Sequence, residues 1–338
     1  MSLLDDYMSR TNEWEKQRYH LHGPQLQPHP NFSPSADVAA LEAAIKAKGV
    51  DEHGITKILV YRTNAQRQEI KSAYQKKTGR ELCDDLKKAC SGQYEEIVLG
   101  LLDTPAKYDA HQLYRAMKGL GTDEACLTEI LVSRNNDQIC ALKKAFKEEY
   151  KCDLIDAIRS DTSGDYCKVL EALLKGERAE DVQVNDELVD ADARALYEAG
   201  ERIKGTKTSV FIEILIKRSF PHILRVMQNY KKFSKNDLSK AVDLEMKGDI
   251  ERCLLDILKV AMGKADYFAE KFYLAMKGSG TKCKELNRLL LSNSEGNMKG
   301  IKAAYKRRYG RSLNVDLMAE KLGQDYEEIV LALCGPDN

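Results

Sequence analysis

No charge of one sign dominates this chain: 53 lysines and arginines stand against 53 aspartates and glutamates, and the formal net charge is zero. The long-range positive field of a nucleic-acid binder is therefore missing, and no nucleic-acid partner is expected. Any attraction to an anionic surface has to come from local basic patches or from bound cations. Long apolar runs are missing as well. Nothing approaches the roughly 18 consecutive apolar residues of a membrane-spanning helix. The acidic N-terminus has no apolar run of about 7–15 residues of the kind that marks a secretory signal. These absences predict a soluble, cytoplasmic protein that meets membranes peripherally, with nuclear or extracellular pools open to it by routes that use no signal peptide.

Proline is scarce, at 7 of 338 residues, and four of the seven crowd into Pro24, Pro28, Pro30 and Pro34. The rest of the chain is thus almost free of helix breakers. The nine cysteines are scattered and none forms Cys-x-x-Cys, which points to free thiols in a reducing compartment. Catalytic signatures are missing too. There is no phosphate loop, no His-Glu-x-x-His and no Gly-x-Ser-x-Gly, and the six histidines lie in the tail or stand alone. Nor is there a twelve-residue EF-hand loop. A binding protein rather than an enzyme is expected.

What the chain does have is a stretch that opens with Met117-Lys118-Gly119-Leu120-Gly121-Thr122-Asp123-Glu124 and closes at Asp161. Leu113, Ala116 and Met117 have helical spacing, two glycines interrupt it, and Thr122 is expected to cap a new helix with Asp123 and Glu124 in its first turn. Carbonyls beyond a helix end need a partner, and glycines leave them without side chains over them. A hard cation such as calcium suits them if a carboxylate arrives from elsewhere, and Asp161 is the candidate.

The stretch recurs. Gly121-Thr122 returns as Gly49-Val50, Gly205-Thr206 and Gly280-Thr281, and counting 39 residues past each Val or Thr reaches Ala89, Asp161, Glu245 and Glu320. Arg62, Arg134 and Arg218 hold another shared place, and Gly92, Gly164, Gly248 and Gly323 lie near a third. The chain reads as four copies of one unit. In the second copy, apolar residues fall at helical spacing in five segments, so five helices per unit are expected and the fold class is all-α.

With these residues in view, the Met-Lys-Gly-x-Gly-Thr loop, the acid that follows it, the Ser133-Arg134 pair and four repeats over residues 36–338 resemble the annexins, in particular those with a long N-terminal tail. The resemblance implies four homologous five-helix repeats in a curved disc: a regulatory tail at 1–35, then repeats at 36–105, 106–177, 178–262 (with an acidic linker) and 263–338. It implies several calcium ions, held by carbonyls of Met117, Gly119 and Gly121 with Asp161; of Gly200, Ile203 and Gly205 with Glu245; and of Met276, Gly278 and Gly280 with Glu320. Repeat one has lost its acid. By position it keeps weak accessory sites at Gly49, Val50 and Glu52, and at Lys87, Cys90 and Glu95. Repeat four departs elsewhere: Lys282 and Lys284 follow Thr281 in place of acids, and Asn293 replaces the repeated arginine.

Three carbonyls and a bidentate carboxylate supply five oxygens, fewer than calcium takes, which leaves places for water or lipid phosphate. One carboxylate per site predicts weak intrinsic affinity, on the order of 10⁻⁴–10⁻³ M, raised when several sites engage one membrane. The expected partner is an anionic phospholipid membrane, with Lys118, Leu120 and Lys277 in contact with lipid. The resemblance adds roles in membrane organisation, aggregation or trafficking and in phospholipase inhibition. In the tail, Leu3, Leu4, Tyr7, Met8 and Trp14 lie near one face of a short helix, and the resemblance implies that such a tail docks a dimeric EF-hand partner. An alternative is a calcium-gated ion pathway lined by Asp109, Glu129, Arg134 and Arg288, for which buried ion pairs are the simpler account.

Overall fold

The computed structural model describes residues 26–337. The expected tail helix with Leu3, Leu4, Tyr7, Met8 and Trp14 lies outside the described residues. Those described carry twenty helices and no strand. In the first repeat, α1 runs Pro34–Lys46, α2 Glu52–Val60, α3 Asn64–Thr78, α4 Leu82–Ala89 and α5 Gly92–Leu102. The second has α6 Pro105–Met117, α7 Glu124–Ser133, α8 Asn136–Tyr150, α9 Leu154–Asp161 and α10 Gly164–Leu174. The third has α11 Asp186–Ala199, α12 Thr208–Lys217, α13 Phe220–Tyr230, α14 Leu238–Glu245 and α15 Asp249–Met262. The fourth has α16 Lys264–Met276, α17 Cys283–Asn293, α18 Met298–Tyr309, α19 Leu313–Ala319 and α20 Gln324–Cys334. Five helices per repeat is the number expected from the apolar periodicity.

Local chemistry sets the ends of these helices. Thr63 and Asn135 begin α3 and α8 with reciprocal capping boxes to Gln66 and Gln138. At the other end, Gly79 and Gly310 stop α3 and α18 in the left-handed region, which glycine enters without a Cβ clash. In repeat two the non-glycine Lys151 does the same at φ 59°.

Contacts divide the chain into two compact units. One is built on residues 109–267, which hold most of repeat two and all of repeat three; the other takes the described residues of 17–108 and 268–338, from repeats one and four. Within the first, α7 packs on α15, and α10 packs on both α12 and α15. Leu127, Ile130, Leu170, Leu254 and Ile257 are fully or almost fully buried there. Within the second, α20 packs on α2 and α17 on α5, with Leu59, Ile97, Leu290 and Ile329 buried. Each such side chain contributes roughly 1.5–3 kcal/mol by leaving water. Repeats therefore bury their apolar faces against a second repeat, as units too small to close a core alone must.

Arg134 and Arg218 follow α7 and α12 directly, Arg62 stands two residues past α2, and all three reach back to the first helix of their own repeat. Arg134 donates from Nε and Nη2 to Asp109 at 2.6 and 2.8 Å, Arg62 to Asp37 at 2.7 and 2.9 Å, and Arg218 to Asp192 at 2.7 and 3.2 Å. The two-point geometry is the one arginine makes best with a carboxylate. All nine cysteines are free, with Cys140 and Cys152 exposed. No helix among the described residues is long and apolar enough to cross a membrane.

Candidate functional site

Each repeat carries the same joint between its first two helices. A backbone N–H beyond the loop donates to a carbonyl near the end of the first helix: Asp51 to Ala44 at 3.0 Å, Asp123 to Ala116, Lys207 to Ala199 and Lys282 to Ala275 at 2.8 Å. The span is seven residues in repeats one, two and four and eight in repeat three. In repeats two and four the bend is made by glycines at positive φ: Gly119 at 114°, Gly121 at 82°, Gly278 at 127° and Gly280 at 129°. A side chain added at any of them would meet nothing within 4 Å. The inner strand of the loop is thus bare backbone facing open space.

The 39-residue spacing has a direct structural meaning. Thr122 donates its hydroxyl proton to Asp161 Oδ2 at 2.6 Å, and Thr206 donates to Glu245 Oε2 at 2.7 Å. Thr281 makes the same short bond to Glu320. This corrects the expectation that Thr122 caps a helix. The cap of α7 is Asp123, whose side chain accepts from the Cys126 N–H at 3.0 Å. Capping from Thr122 would require its hydroxyl to accept from the N–H of Glu124 or Ala125. Thr122 instead donates to the charged carboxylate that α9 brings alongside. In repeat one both members of the pair are apolar, Val50 and Ala89, so the hydroxyl and the acid disappear together.

Each acid lies at or just past the end of a short helix, against the threonine of its loop. A Cβ on Gly200 would sit 3.4 Å from Cγ of Glu245. The acids themselves are half-buried, with one oxygen taken by the threonine. Among the described residues, no backbone N–H of the loops and turns donates to the carbonyl oxygens of Met117, Gly119, Gly121, Ile203, Gly205, Met276, Gly278 or Gly280. Gly200 differs, since its carbonyl accepts from the Ile203 N–H at 3.1 Å. No group of three or more His, Cys, Asp or Glu able to hold a metal occurs among the described residues. A cation bound here has to be held chiefly by backbone oxygens with one carboxylate. Uncovered carbonyls beyond a helix end, next to a lone carboxylate, form a donor set of hard oxygens that suits calcium.

The flanking residues differ between repeats. Leu120 is fully exposed at its loop tip, and in repeat three Ile203 of the loop and Leu244, the residue before Glu245, are exposed. Lys118 lies 5.6 Å above the Tyr114 ring, and Tyr114 stacks on Tyr150 at 3.8 Å and 8°. Repeat four repeats this: Lys277 lies 5.6 Å above Tyr273, which stacks on Tyr309 at 4.2 Å and 10°. Asp51 and Asp123 cap α2 and α7, whereas Lys207 and Lys282 occupy the same place before α12 and α17 without a side-chain cap. Lys282 is drawn toward Glu285 at 3.4 Å. Lys207 and the threonine–acid contacts were not anticipated from sequence. The joint loss of hydroxyl and acid in repeat one was the signal for the latter.

Two of the accessory acids in repeat one, Glu52 and Glu95, lie near the Cys90 thiol. Burial pushes the Cys90 thiol up to about 11, with Glu52 and Glu95 adding to the effect. Lys87 is exposed at the end of α4, and Gly49 bends its loop at φ 74°. Of the residues considered for an ion pathway, Asp109 and Arg134 form the two-point ion pair described above, and Glu129 and Arg288 are buried.

The family model Annexin matches four segments, 36–101, 108–173, 191–257 and 267–333. Annexin A1 of Bos taurus, a protein also called lipocortin I, is 55% identical over 315 residues, covering 93% of this chain and 91% of that protein. Among solved structures, annexin III superposes with a TM-score of 0.91 at 39% identity, over 94% of this chain and 98% of the other. Calcium-bound annexin (Sm)1 superposes with a TM-score of 0.80 at 31% identity, over 93% of each.

Proposed function

This chain belongs to the annexin family, and on that premise we propose that it binds anionic phospholipid membranes in a calcium-dependent manner through the loops of repeats two, three and four. The observation that carries this reading is the threonine–acid contact, made three times at one spacing and absent as a pair in the fourth copy. When bound, calcium would bridge the loop oxygens to lipid phosphate. Asp161, Glu245 and Glu320 each supply the charge of their site, and the loop carbonyls supply neutral oxygens. Thr122, Thr206 and Thr281 hold one carboxylate oxygen in place, so the acid is oriented before any cation arrives. Leu120 projects far enough to enter the headgroup layer. Lys118 and Lys277, resting on tyrosine rings, present positive charge to phosphate.

Several weak sites acting on one membrane raise the apparent affinity well above that of any single loop. Covering the phospholipid surface would also deny a phospholipase its substrate, and this is the route by which phospholipase inhibition, membrane organisation or trafficking would follow. Docking of a dimeric EF-hand protein would fall to the N-terminal tail. Sedimentation with phosphatidylserine/phosphatidylcholine vesicles tests the reading. The protein should pellet with vesicles in calcium and return to solution on chelation, whereas binding that ignores chelation would overturn it.

A further inference from the structure

Repeat three departs from its siblings at three linked places. Its loop is one residue longer, with Ala199 and Thr206 seven positions apart where Ala116 and Thr122 are six apart. Ser234 stands at the position of Tyr150 and Tyr309, so no tyrosine stack forms. At the head of the loop, in place of the lysine that rests on that stack, comes Glu201. Its carboxylate is taken by three neutral donors. The Tyr230 hydroxyl donates to Oε1 at 2.8 Å, Ser234 Oγ to the same oxygen at 2.7 Å, and Asn236 Nδ2 to Oε2 at 3.0 Å. Tyr230 is fully buried at the end of α13, and burial together with Glu201 keeps its hydroxyl protonated as a donor far beyond the ordinary tyrosine range. Ser234 is itself fixed, because it accepts from the Asn236 N–H at 2.9 Å.

The neighbour of Glu201 is Gly200, and that glycine lies against the Glu245 side chain. Anything that fixes Glu201 therefore fixes the backbone beside the acid of this site. We propose that Glu201 is the positioning residue of the repeat-three loop, a carboxylate strut that ties the longer loop to the end of α13 and sets Gly200 against Glu245. The proposal rests on the calcium-site reading given above. The strut replaces the tyrosine–tyrosine–lysine stack of repeats two and four and reverses the charge at the loop head. Its oxygens are engaged by protein donors, so its role is to hold backbone. The longer loop makes such a tie necessary, since an added residue widens the range of conformations open to it.

Two readouts test this on the full-length chain. In calcium-free protein, Glu201→Ala should speed amide exchange of Ile203 and Lys207, the N–H groups that close this loop, by about tenfold. Exchange in the loops of repeats two and four should not change. In an Asp161→Ala/Glu320→Ala background, where vesicle binding depends on repeat three, Glu201→Ala should raise the calcium needed for half-maximal binding to phosphatidylserine/phosphatidylcholine vesicles about three- to tenfold. Tyr230→Phe/Ser234→Ala, which keeps the charge and removes two donors, should reproduce most of that rise. Glu201→Gln, which still accepts at one oxygen, should recover much of the loss. If Glu201→Gln is as damaging as Glu201→Ala while the donor variant is harmless, Glu201 acts through its charge and the strut is refuted. Unchanged exchange and an unchanged midpoint in Glu201→Ala also refute it. Glu245→Ala in the same background separates the two levels: if it too changes nothing, the calcium-site reading fails rather than the strut.

Discussion

Replacing Thr122 with valine keeps the side-chain shape and deletes one hydroxyl, so it isolates the contact with Asp161. That bond is 2.6 Å long, runs to an ionised carboxylate, and lies where both residues are half-buried. Hydrogen bonds to charged groups are worth about 1.5–3 kcal/mol when water is excluded, and partial exposure reduces this to roughly 1 kcal/mol. Freed from the hydroxyl, the carboxylate regains rotamers that cation binding must then remove, at a cost of about 0.5–1.5 kcal/mol. A change of that size is a three- to tenfold loss of affinity, to within about a factor of two.

In the intact chain the other two loops would mask the change, so the test belongs in a Glu245→Ala/Glu320→Ala background. Calcium titration of vesicle sedimentation should then give a midpoint about three- to tenfold higher for Thr122→Val. The calcium-free melting temperature should move by no more than about 2 °C. Repeat one supports the second expectation. With Val50 and Ala89 in place of the pair, its loop still closes through the Asp51 to Ala44 bond at 3.0 Å, so the contact is not needed for folding. An unchanged midpoint, or a fall of several degrees in the absence of calcium, would refute the reasoning.

Single changes of Asp161, Glu245 and Glu320 to Ala should each raise the calcium requirement with little change in calcium-free stability; a collapse in melting temperature would make the acids structural. In crystals exposed to rising calcium, the loop of repeat two should fill first, then four or three, with the main site of repeat one empty because it has no carboxylate. Density beside Ala89 before Asp161 would contradict the charge argument. Burial raises the carboxyl of Asp192, but bonds from His222 at 2.8 Å and from Arg218 outweigh it, and the net direction is downward. A folded-state value below the unfolded one adds stability above about pH 4 that is lost as pH falls through the folded value, so Asp192→Asn should cost stability at neutral pH and progressively less toward acid unfolding. An equal deficit at all pH values would argue against this. A maleimide at pH 7.5 should label Cys140 and Cys152 first, since both are exposed, while Cys334, buried and pushed up to about 12, should react only on unfolding. Early labelling of Cys334 would show that burial does not protect it.

The amino-acid sequence alone was enough for the helices, the four repeats and the three acids. All rest on periodic or counted features: apolar residues at helical spacing, glycines that interrupt it, and a fixed interval from Thr to acid. Such features act locally or recur, so they survive without knowledge of the fold. The sequence also separated repeat one from the rest, because losing an acid is visible as a letter. The partner of a hydroxyl is not visible in that way. Thr122 reads as a cap because a threonine before two acids usually is one. Only the arrival of α9 offers it a carboxylate at 2.6 Å, while Asp123, one residue on, takes the cap of α7. Glu201 likewise reads as one more surface acid until Tyr230, Ser234 and Asn236 are found around it. Tertiary structure also chose the arrangement in which repeat two shares a unit with repeat three, and repeat one with repeat four. Equivalent repeats carry nearly the same apolar faces, so their pattern says that a partner is needed, and complementary packing decides which.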